Sequence, residues 1–386
     1  MTSAEGTAQP RAGETLARGY QLVIFDLDGV VYLGSEVVAG APAAIASTVD
    51  GGTPVSFVTN NASRRAGEVG ALLRSMGVPA RDEDVLTAGQ AAAEVLAGDE
   101  PAGSRVLVVG APALRAEVAA VGLTPVERAD ARPVAVVQGY GPEVGWAALA
   151  EACVAVRAGA RWVATNADAT MPSPRGPLPG NGSLVAALST ALGGRGPDVV
   201  VGKPEPALFR LAAGHRGAGR ALIVGDRLDT DIEGAHRAGL DSLLVLTGVS
   251  TPHDLLAAPA SQRPTFVAAD CAGLSASADA VRVPQWTDGR ARAGGWLVTG
   301  DGDRLRLARD GVSTEDGARA PSTEDGRPAP STEDGQPAVS TQDGRVAALR
   351  ALAAGAWVHP EWTGIVADGP AAQAALAALG LDQPRP

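Results

Sequence analysis

An apolar run that ends in two carboxylates constrains the fold of this chain more than any other stretch. Residues 21–24 read Gln-Leu-Val-Ile, and Phe25-Asp26-Leu27-Asp28-Gly29 follows directly. Buried parallel strands have this form, and ligands of open α/β sheets bind where such strands end. Carboxylates two residues apart repel each other unless a cation lies between them, and Mg²⁺ is the most plausible hard cation for such oxygen ligands. The alternative is an ordinary turn rich in Asp and Gly.

Three further strand-like runs end in polar side chains of related chemistry. They are residues 54–58 before Thr59, Asn60 and Asn61, residues 199–201 before Lys203, and residues 221–224 before Asp226 and Asp231. Each has an ordinary alternative as a helix cap, a surface charge or a turn. Their joint order (acid pair, hydroxyl, lysine, acid pair) predicts one shared site at the carboxyl ends of the strands.

In this combination the four segments resemble the motifs of the haloacid dehalogenase superfamily of phosphohydrolases. The resemblance covers about residues 20 to 275. It implies an α/β fold whose core is a doubly wound, Rossmann-like parallel sheet with the site at its carboxyl edge. Asp28 favours a phosphatase, because superfamily ATPases carry Thr there and dehalogenases lack the second acid. A phosphomutase is the weaker alternative.

The acidic residues have distinct expected roles. Asp26 is the predicted nucleophile that forms an aspartyl-phosphate. Asp28 is the predicted general acid for the leaving group and then the base for water. Mg²⁺ is expected on Asp26, the Asp28 carbonyl and Asp226. Asp231 is expected to orient a metal-bound water or Lys203.

The uncharged and basic residues are predicted to bind the phosphoryl group. Thr59, Asn60, Asn61 and Lys203 offer hydrogen bonds or positive charge to oxygens on which charge accumulates in the transition state. Lys203 is also counted among the catalytic residues for this reason.

The interval between Thr59 and Lys203 predicts an inserted domain. It is far longer than an ordinary connection of about 2–6 residues, and it contains strand-like and helix-like runs of its own. Such an α/β insertion resembles the type IIA cap of nitrophenyl-phosphatase and phosphoglycolate-phosphatase relatives. Asn166, Asp168 and the loop 171–181 are expected to contact substrate, with a connector free of ligand contacts as the alternative for the loop.

Composition disfavours several classes of partner. The 386-residue chain has a net charge of −11, which opposes binding to nucleic acid or anionic membranes. Cys153 and Cys271 are too few for a disulfide framework. Because no apolar run approaches a membrane span or signal peptide, a cytoplasmic location is expected. The expected partner is a small phosphorylated metabolite, and a homodimer is open because type IIA relatives are often dimers through the cap.

The last hundred residues predict a small α+β extension. A hairpin is expected around residues 300–303. The pentapeptide at Ser313 recurs from Ser322, Ser331 and, with one change, Ser340, which predicts a disordered loop over about 312–344. Calcium-binding repeats are the alternative. The extension is expected to serve packing or dimerisation, whereas an acyltransferase would need a phosphate loop that residues 292–295 do not match.

The predicted organisation has five regions: a flexible leader (1–19), a first core segment (20–84), the cap (85–197), a second core segment (198–282) and the extension (283–386). Some actinobacterial glycerol-3-phosphate phosphatases resemble this domain order, so glycerol 3-phosphate is the expected substrate. Phosphoglycolate, 4-nitrophenyl phosphate, pyridoxal phosphate and nucleotides are the alternatives. A phosphoacceptor scaffold without turnover is the alternative outside enzymes.

Overall fold

A computed structural model describes residues 14–171, 175–311 and 341–383. Two separate segments of the chain form the core, and the first contributes five strands and three helices. These are β1 (Leu22–Asp26), β2 (Tyr32–Leu33), β3 (Glu36–Val37), α1 (Ala41–Asp50), β4 (Val55–Thr59), α2 (Ala66–Ser75), β5 (Val85–Thr87) and α3 (Ala88–Asp99).

The cap and the second core segment follow along the chain. The cap contains β6 (Arg105–Val109), α4 (Pro112–Ala120), β7 (Thr124–Val126), β8 (Ala135–Gln138), α5 (Trp146–Arg157), β9 (Arg161–Ala164), β10 (Thr170–Met171), β11 (Leu178–Pro179), α6 (Asn181–Ala191) and β12 (Val199–Val200). The core resumes with α7 (Ala207–His215), β13 (Ala221–Gly225), α8 (Glu233–Ala238), β14 (Asp241–Val245), α9 (Pro252–Leu256), β15 (Phe266–Ala268) and α10 (Ala278–Val281).

The core sheet is parallel and has the order β15-β14-β13-β1-β4-β5. Strands β1 and β4 are buried at every position, as expected for strands covered by helices on both faces. The chain leaves β1 first toward β5 and later toward β15, so the carboxyl end of β1 lies at the point where the strand order reverses. A crevice forms at such a point, and this fold confirms the predicted doubly wound α/β core with an inserted α/β cap.

The cap sheet is also parallel, with the order β12-β9-β8-β6-β7. Its limits differ from the predicted 85–197. Val85 pairs with Phe57, so β5 belongs to the core sheet, and Val199 pairs with Val163, so β12 belongs to the cap sheet. An apolar run shows that a strand forms but not which sheet it joins, because pairing partners are distant in the chain.

Lys203 therefore reaches the site by a different route from the one predicted. The sequence predicts a core strand over residues 199–201 that ends at the lysine. Instead β12 is a two-residue edge strand of the cap, and the chain crosses back into the core at Lys203.

The predicted flexible leader is ordered where the structure describes it. Residues 1–13 lie outside the described ranges. Leu16 is fully buried, its N–H donates to the Ala276 carbonyl at 2.7 Å, and Ala17 begins a short 3₁₀ helix. The apolar Leu16 and Ala17 fill the core beneath α1, so the boundary at residue 19 is too late.

The extension forms a four-stranded sheet covered by a long helix. It consists of β16 (Arg290–Ala293), β17 (Trp296–Asp301), β18 (Arg304–Arg309), α11 (Gln342–Val358), β19 (Gly364–Ala367) and α12 (Pro370–Ala378). Strands β17 and β18 are antiparallel neighbours, which confirms the predicted hairpin, and β19 runs parallel to β18.

The predicted disordered loop, 312–344, lies mostly outside the described residues. Its last three residues, 342–344, are the first turn of α11, because the Thr341 hydroxyl accepts a hydrogen bond from the Gly344 N–H at 3.2 Å. Within the described ranges, no helix combines the length and apolarity needed to cross a membrane.

Candidate active site

A buried lysine lies between two carboxylates at the carboxyl edge of the core sheet. Lys203 Nζ is 2.7 Å from Asp26 Oδ1, at the end of β1, and 2.7 Å from Asp231 Oδ1. Residues 228–232 form a π-helical turn that presents Asp231 to the lysine. Asp26, Lys203 and Asp231 are at most 6% exposed, so each charge depends on the others for compensation.

Asp226 supplies a third buried carboxylate directly after β13. Its Oδ2 accepts a hydrogen bond from the Val249 N–H at 2.7 Å, whereas its Oδ1 is buried and has no partner. Gly29 and Gly248 flank this carboxylate so closely that a Cβ on either would lie 2.4 or 2.0 Å from Oδ2. Gly29 also has a φ of +85°, which a side chain would strain.

These groups fit a divalent cation. Asp26, Asp226 and Asp231 each place an oxygen within 4.8 Å of the others. Three carboxylates and the lysine leave a formal charge of −2 when ionised, which one Mg²⁺ neutralises. Asp226 Oδ1 is buried without a hydrogen-bond partner, and a bound cation would supply the missing partner.

The hydrogen bonds separate the roles of the two acids after β13. Both oxygens of Asp231 are engaged, since Oδ1 accepts from Lys203 and Oδ2 accepts from the Arg227 N–H at 3.2 Å. Asp226 keeps one oxygen open. Asp226 therefore has an oxygen available to a cation, whereas the oxygens of Asp231 are occupied by Lys203 and Arg227.

The protonation equilibria show how much the cluster depends on a cation. Burial, and then the charges of Asp231 and Asp26, raise the pKa of Asp226 to about 8. Burial, and then Asp26, raise the pKa of Asp231 to about 6. Burial alone would lower the pKa of Lys203, but the attraction of Asp231 and Asp26 outweighs it and raises the value.

Asp28 lies at the exposed rim of the site, two residues beyond Asp26. Its backbone forms a bridge with Tyr32, which opens the β2–β3 hairpin. Desolvation by the surrounding protein raises the pKa of Asp28, and the charges of Lys203 and Arg64 oppose that rise. A raised carboxyl pKa suits a group that must deliver a proton.

Thr59 and Asn61 lie where the sequence predicts them, at the end of β4. The Thr59 hydroxyl is buried and accepts the Asn61 N–H at 3.1 Å. The Asn61 side chain is exposed and its Oδ1 accepts both hydrogen bonds of Ser63, so it shapes the turn. The Thr59 hydroxyl thus lies buried at the carboxyl end of β4, whereas the Asn61 side chain belongs to a local turn.

Asn60 differs from the prediction of a substrate-binding side chain. Its Oδ1 accepts the Lys203 N–H at 2.8 Å, and its Nδ2 donates to the Lys203 carbonyl at 3.1 Å and to Asp168 Oδ2 at 3.0 Å. The amide thus holds the backbone of Lys203 at both ends. Both N–H donors of the side chain are engaged and its oxygen already accepts one hydrogen bond, so the amide is committed to Lys203 and Asp168.

The cap residue Asn166 is engaged in the same way. Its Nδ2 donates to the Asn60 carbonyl at 2.7 Å, and its Oδ1 accepts the Asp168 N–H at 3.2 Å. Asn181 donates to the Asn166 carbonyl at 2.8 Å from inside the cap. These amides join the cap to the core beside Lys203. Of the two cap residues that the sequence predicts to contact substrate, Asn166 and Asp168, the second is the one that has a carboxylate near the site.

Two supporting features escaped the sequence reasoning. The loop 247–251 holds Asp226 through Val249, and the Thr247 hydroxyl donates to the Gly29 carbonyl at 2.6 Å. Gly202 is the second, because a Cβ there would lie 2.7 Å from Asn60 Oδ1. The loop 247–251 could have been found from the sequence, because Thr247-Gly248 follows the apolar strand β14 just as polar residues follow the other four strand-like runs.

Comparison with known proteins agrees with this geometry. Two family models match the chain: a haloacid dehalogenase-like hydrolase over residues 23–124, which span the first core segment and the start of the cap, and a HAD-hydrolase-like model over 200–274. The chain is 47% identical over 304 residues to the D-glycerol 3-phosphate phosphatase of Mycobacterium tuberculosis, covering 78% of this chain and 85% of that protein. The chain therefore belongs to the haloacid dehalogenase-like hydrolases and is a phosphomonoester hydrolase.

One solved structure and one further relative are also similar to this chain. A crystal structure of a glycerol phosphate phosphatase from M. tuberculosis with magnesium superposes with a TM-score of 0.81 at 40% identity, covering 95% of this chain and 99% of that one. A 5′-nucleotidase of Bacillus subtilis is 38% identical over 234 residues, covering 60% of this chain and 89% of that protein.

Proposed function

We propose that this enzyme hydrolyses glycerol 3-phosphate to glycerol and inorganic phosphate, with Mg²⁺ as its cofactor. The buried cluster of three carboxylates and one lysine, with its formal charge of −2 and one unpartnered oxygen, is the observation that carries the mechanism. The substrate is supported by the M. tuberculosis phosphatase, which matches this chain almost throughout its length.

Asp26 is the nucleophile. The hydrogen bonds from the Leu27 N–H, at 2.6 Å, and from Lys203 both end on its Oδ1. The other oxygen attacks phosphorus, a P–O bond to Asp26 forms, and the bond from phosphorus to glycerol oxygen breaks. Water then attacks the phosphorus of this acyl phosphate, which releases inorganic phosphate and restores the carboxylate.

Asp28 moves the proton in both halves of the reaction. In its protonated form it donates to the departing glycerol oxygen, and as carboxylate it then accepts a proton from the attacking water. We assign Asp28 to the leaving-group side of Asp26, and its pKa, raised by desolvation, keeps the acid form populated at higher pH than in an ordinary Asp.

Lys203 and Thr59 hold the transferring group. The ammonium of Lys203 and the hydroxyl of Thr59 stand at the end of β1 and β4, where phosphoryl oxygens gain charge in the transition state. Asn60 and Asn166 position Lys203 and the cap. Asp168 is the cap residue that we assign to substrate binding, because its half-buried carboxylate can accept a hydrogen bond from a glycerol hydroxyl.

Asp26, the Asp28 carbonyl and Asp226 would hold Mg²⁺. The cation would supply charge neutralisation and orientation of the phosphate. Asp231 stays outside this set, because its oxygens already serve Lys203 and Arg227.

The test is phosphate release from a panel of phosphomonoesters, with Mg²⁺ and with EDTA. The panel contains glycerol 3-phosphate, phosphoglycolate, 4-nitrophenyl phosphate, pyridoxal phosphate and a nucleoside 5′-monophosphate, the last favoured by the B. subtilis nucleotidase. Release that needs Mg²⁺ and is fastest for glycerol 3-phosphate supports the proposal. Faster release from another member would reassign the substrate.

Two variants test the mechanism in the same assay. Asp26→Asn should abolish turnover in a folded protein, whereas Asp82→Asn, an exposed carboxylate far from the site, should leave it unchanged. Turnover retained in Asp26→Asn would refute the nucleophile. Stable phosphate on Asp26 with negligible release would favour a phosphoacceptor scaffold.

We further propose that the enzyme is cytoplasmic and that it forms a homodimer through the cap. Helix α5 presents Trp146, 84% exposed, and Val154, 57% exposed, two turns apart on the cap surface. Light scattering should show a dimer that Trp146→Glu dissociates. A wild-type monomer at micromolar concentration would remove the dimer from the proposal.

A further inference from the structure

The extension packs directly against the elements that hold Asp226 and Asp231. One hydrophobic cluster contains Leu228 and Ile232, which bracket Asp231 in the chain, together with Leu255 and Leu256 of α9. The same cluster includes the apolar face of α11 and the inner face of the extension sheet. The core and the extension thus share one interior at this side of the site.

Among the described residues, four side chains donate hydrogen bonds that join the extension to the core at this interface, and one of them is Arg263, whose Nη2 donates to the Trp357 carbonyl at 3.1 Å. The indole Nε1 of Trp357 donates to the Leu255 carbonyl at 2.9 Å, and His253 Nε2 donates to the Gly380 carbonyl at 2.9 Å. Arg350, buried in α11, donates to the carbonyl of Val267 in β15 at 2.9 Å. Two of the four involve residues of α9.

Helix α9 begins where the loop 247–251 ends. Thr251 caps α9, accepting the Asp254 N–H, and the Leu255 N–H donates to the Thr251 carbonyl at 3.1 Å. A displacement of Leu255 is therefore passed to Thr251 by helical hydrogen bonds.

The loop 247–251 in turn encloses Asp226. The Val249 N–H donates to Asp226 Oδ2 at 2.7 Å, and the Ser250 N–H donates to the Asp226 carbonyl at 3.1 Å. The Ser250 hydroxyl accepts the Leu228 N–H at 3.0 Å, which ties the loop to the π-helical turn. Gly248 lies against the carboxylate itself.

We infer that the extension is a positioning domain for the metal site: through Trp357 and α9 it holds the loop 247–251 in the conformation that aims Asp226 Oδ1 at the cation. The inference rests on the proposed function in that Mg²⁺ is the expected ligand of Asp226. It gives the extension a task that needs neither a second active site nor a bound cofactor.

The test compares two Trp→Phe variants that lose the same kind of hydrogen bond. Trp357→Phe removes the bond to Leu255. Trp296→Phe removes the bond from its indole to the Gly344 carbonyl (2.8 Å), which lies inside the extension. Mg²⁺ affinity is measured by calorimetry on full-length, EDTA-treated protein, and activity is measured across Mg²⁺ concentrations.

We expect Trp357→Phe to raise the Mg²⁺ dissociation constant about three- to fivefold, as one lost hydrogen bond allows, with kcat at saturating Mg²⁺ nearly unchanged. Trp296→Phe should keep the wild-type constant. The inference would be overturned if wild type and both variants had equal Mg²⁺ dissociation constants, or if this constant rose equally in both variants. Wild type that binds no Mg²⁺, or binds it without turnover, would instead refute the proposed function.

His253→Ala provides a second route should Trp357→Phe fold poorly. It removes the other α9 contact from a half-buried surface position, so folding should be preserved. We expect the same direction of change in Mg²⁺ affinity. An unchanged constant in a folded His253→Ala protein would count against the positioning role.

Discussion

Lys203 Nζ lies 2.7 Å from Asp26 Oδ1, with side chains only 3% and 9% exposed, although the two residues stand on opposite sides of the whole cap domain in the chain. Each charge is stable in the interior because the other is present. The pair would therefore couple catalysis to folding, since the lysine that we propose to bind phosphate also compensates the proposed nucleophile.

Lys203→Met should cost both activity and stability. Removal of the ammonium leaves Asp26 and Asp231 buried without compensation, and loss of one partner of a buried pair costs about 3–5 kcal/mol. Urea unfolding at pH 8 with EDTA measures the free energy of unfolding. Arg195→Met breaks an exposed pair with Asp198 and should cost less than about 1 kcal/mol.

The double variant Asp26→Asn/Lys203→Met sharpens that prediction. It should recover some of the stability that Lys203→Met loses, because one of the two uncompensated carboxylates is then gone. If the double variant instead loses as much stability as the two single variants lose together, Asp26 and Lys203 are not energetically coupled.

The metal-free protein should become less stable as the pH rises from about 4 to about 8. The pKa of Asp226 is about 8 in the folded protein and 3.8 ordinarily, so in this range the folded chain holds a proton that the unfolded chain has lost. Stability from this group is full below the unfolded pKa and is lost toward the folded one, by up to about 1.4 kcal/mol per pH unit.

The measurement is the melting temperature of EDTA-treated protein against pH, with and without Mg²⁺. The gain from Mg²⁺ should be larger at pH 8 than at pH 5.5, because the cation replaces the proton. Asp226→Asn should flatten the pH dependence. A wild-type curve parallel to that of the variant would mean that Asp226 titrates normally.

Gly248→Ala should weaken Mg²⁺ binding. A Cβ at this position would lie 2.0 Å from Asp226 Oδ2, so the carboxylate or the loop must shift. We expect at least a tenfold higher Mg²⁺ requirement for activity, since misplaced ligands are costly. Gly98→Ala is the control, because Gly98 is in α3 with nothing within 4 Å of its Cβ position, and it should keep activity and gain slight stability. Similar Mg²⁺ curves for both variants would contradict the role of Gly248.

Asn60→Ala should lower kcat by about tenfold or more while KM changes little, because the amide positions Lys203 rather than substrate. Steady-state kinetics with saturating Mg²⁺ separate the two effects. Asn61→Ala, which removes an exposed turn contact, should have the smaller effect on kcat. A rise in KM at constant kcat would restore Asn60 to the substrate-binding set.

Local patterns were sufficient for much of the fold and for the acids of the site. Apolar runs that end in Asp26, Thr59 and Asp226 mark β1, β4 and β13, and parallel strands bring their carboxyl ends to one edge. The long interval before Lys203 was enough to predict the cap. These features depend on residues adjacent in the chain and on general rules of sheet topology.

Tertiary structure decided the roles that depend on distant contacts. Strand β12 joins the cap sheet, Asn60 serves Lys203, and the loop 247–251 encloses Asp226, none of which follows from neighbouring residues. The sequence alone determined which chemical groups stand at the strand ends. Only the folded chain determined which of them are free to act, because a buried amide or carboxylate takes its role from the partners that packing brings to it.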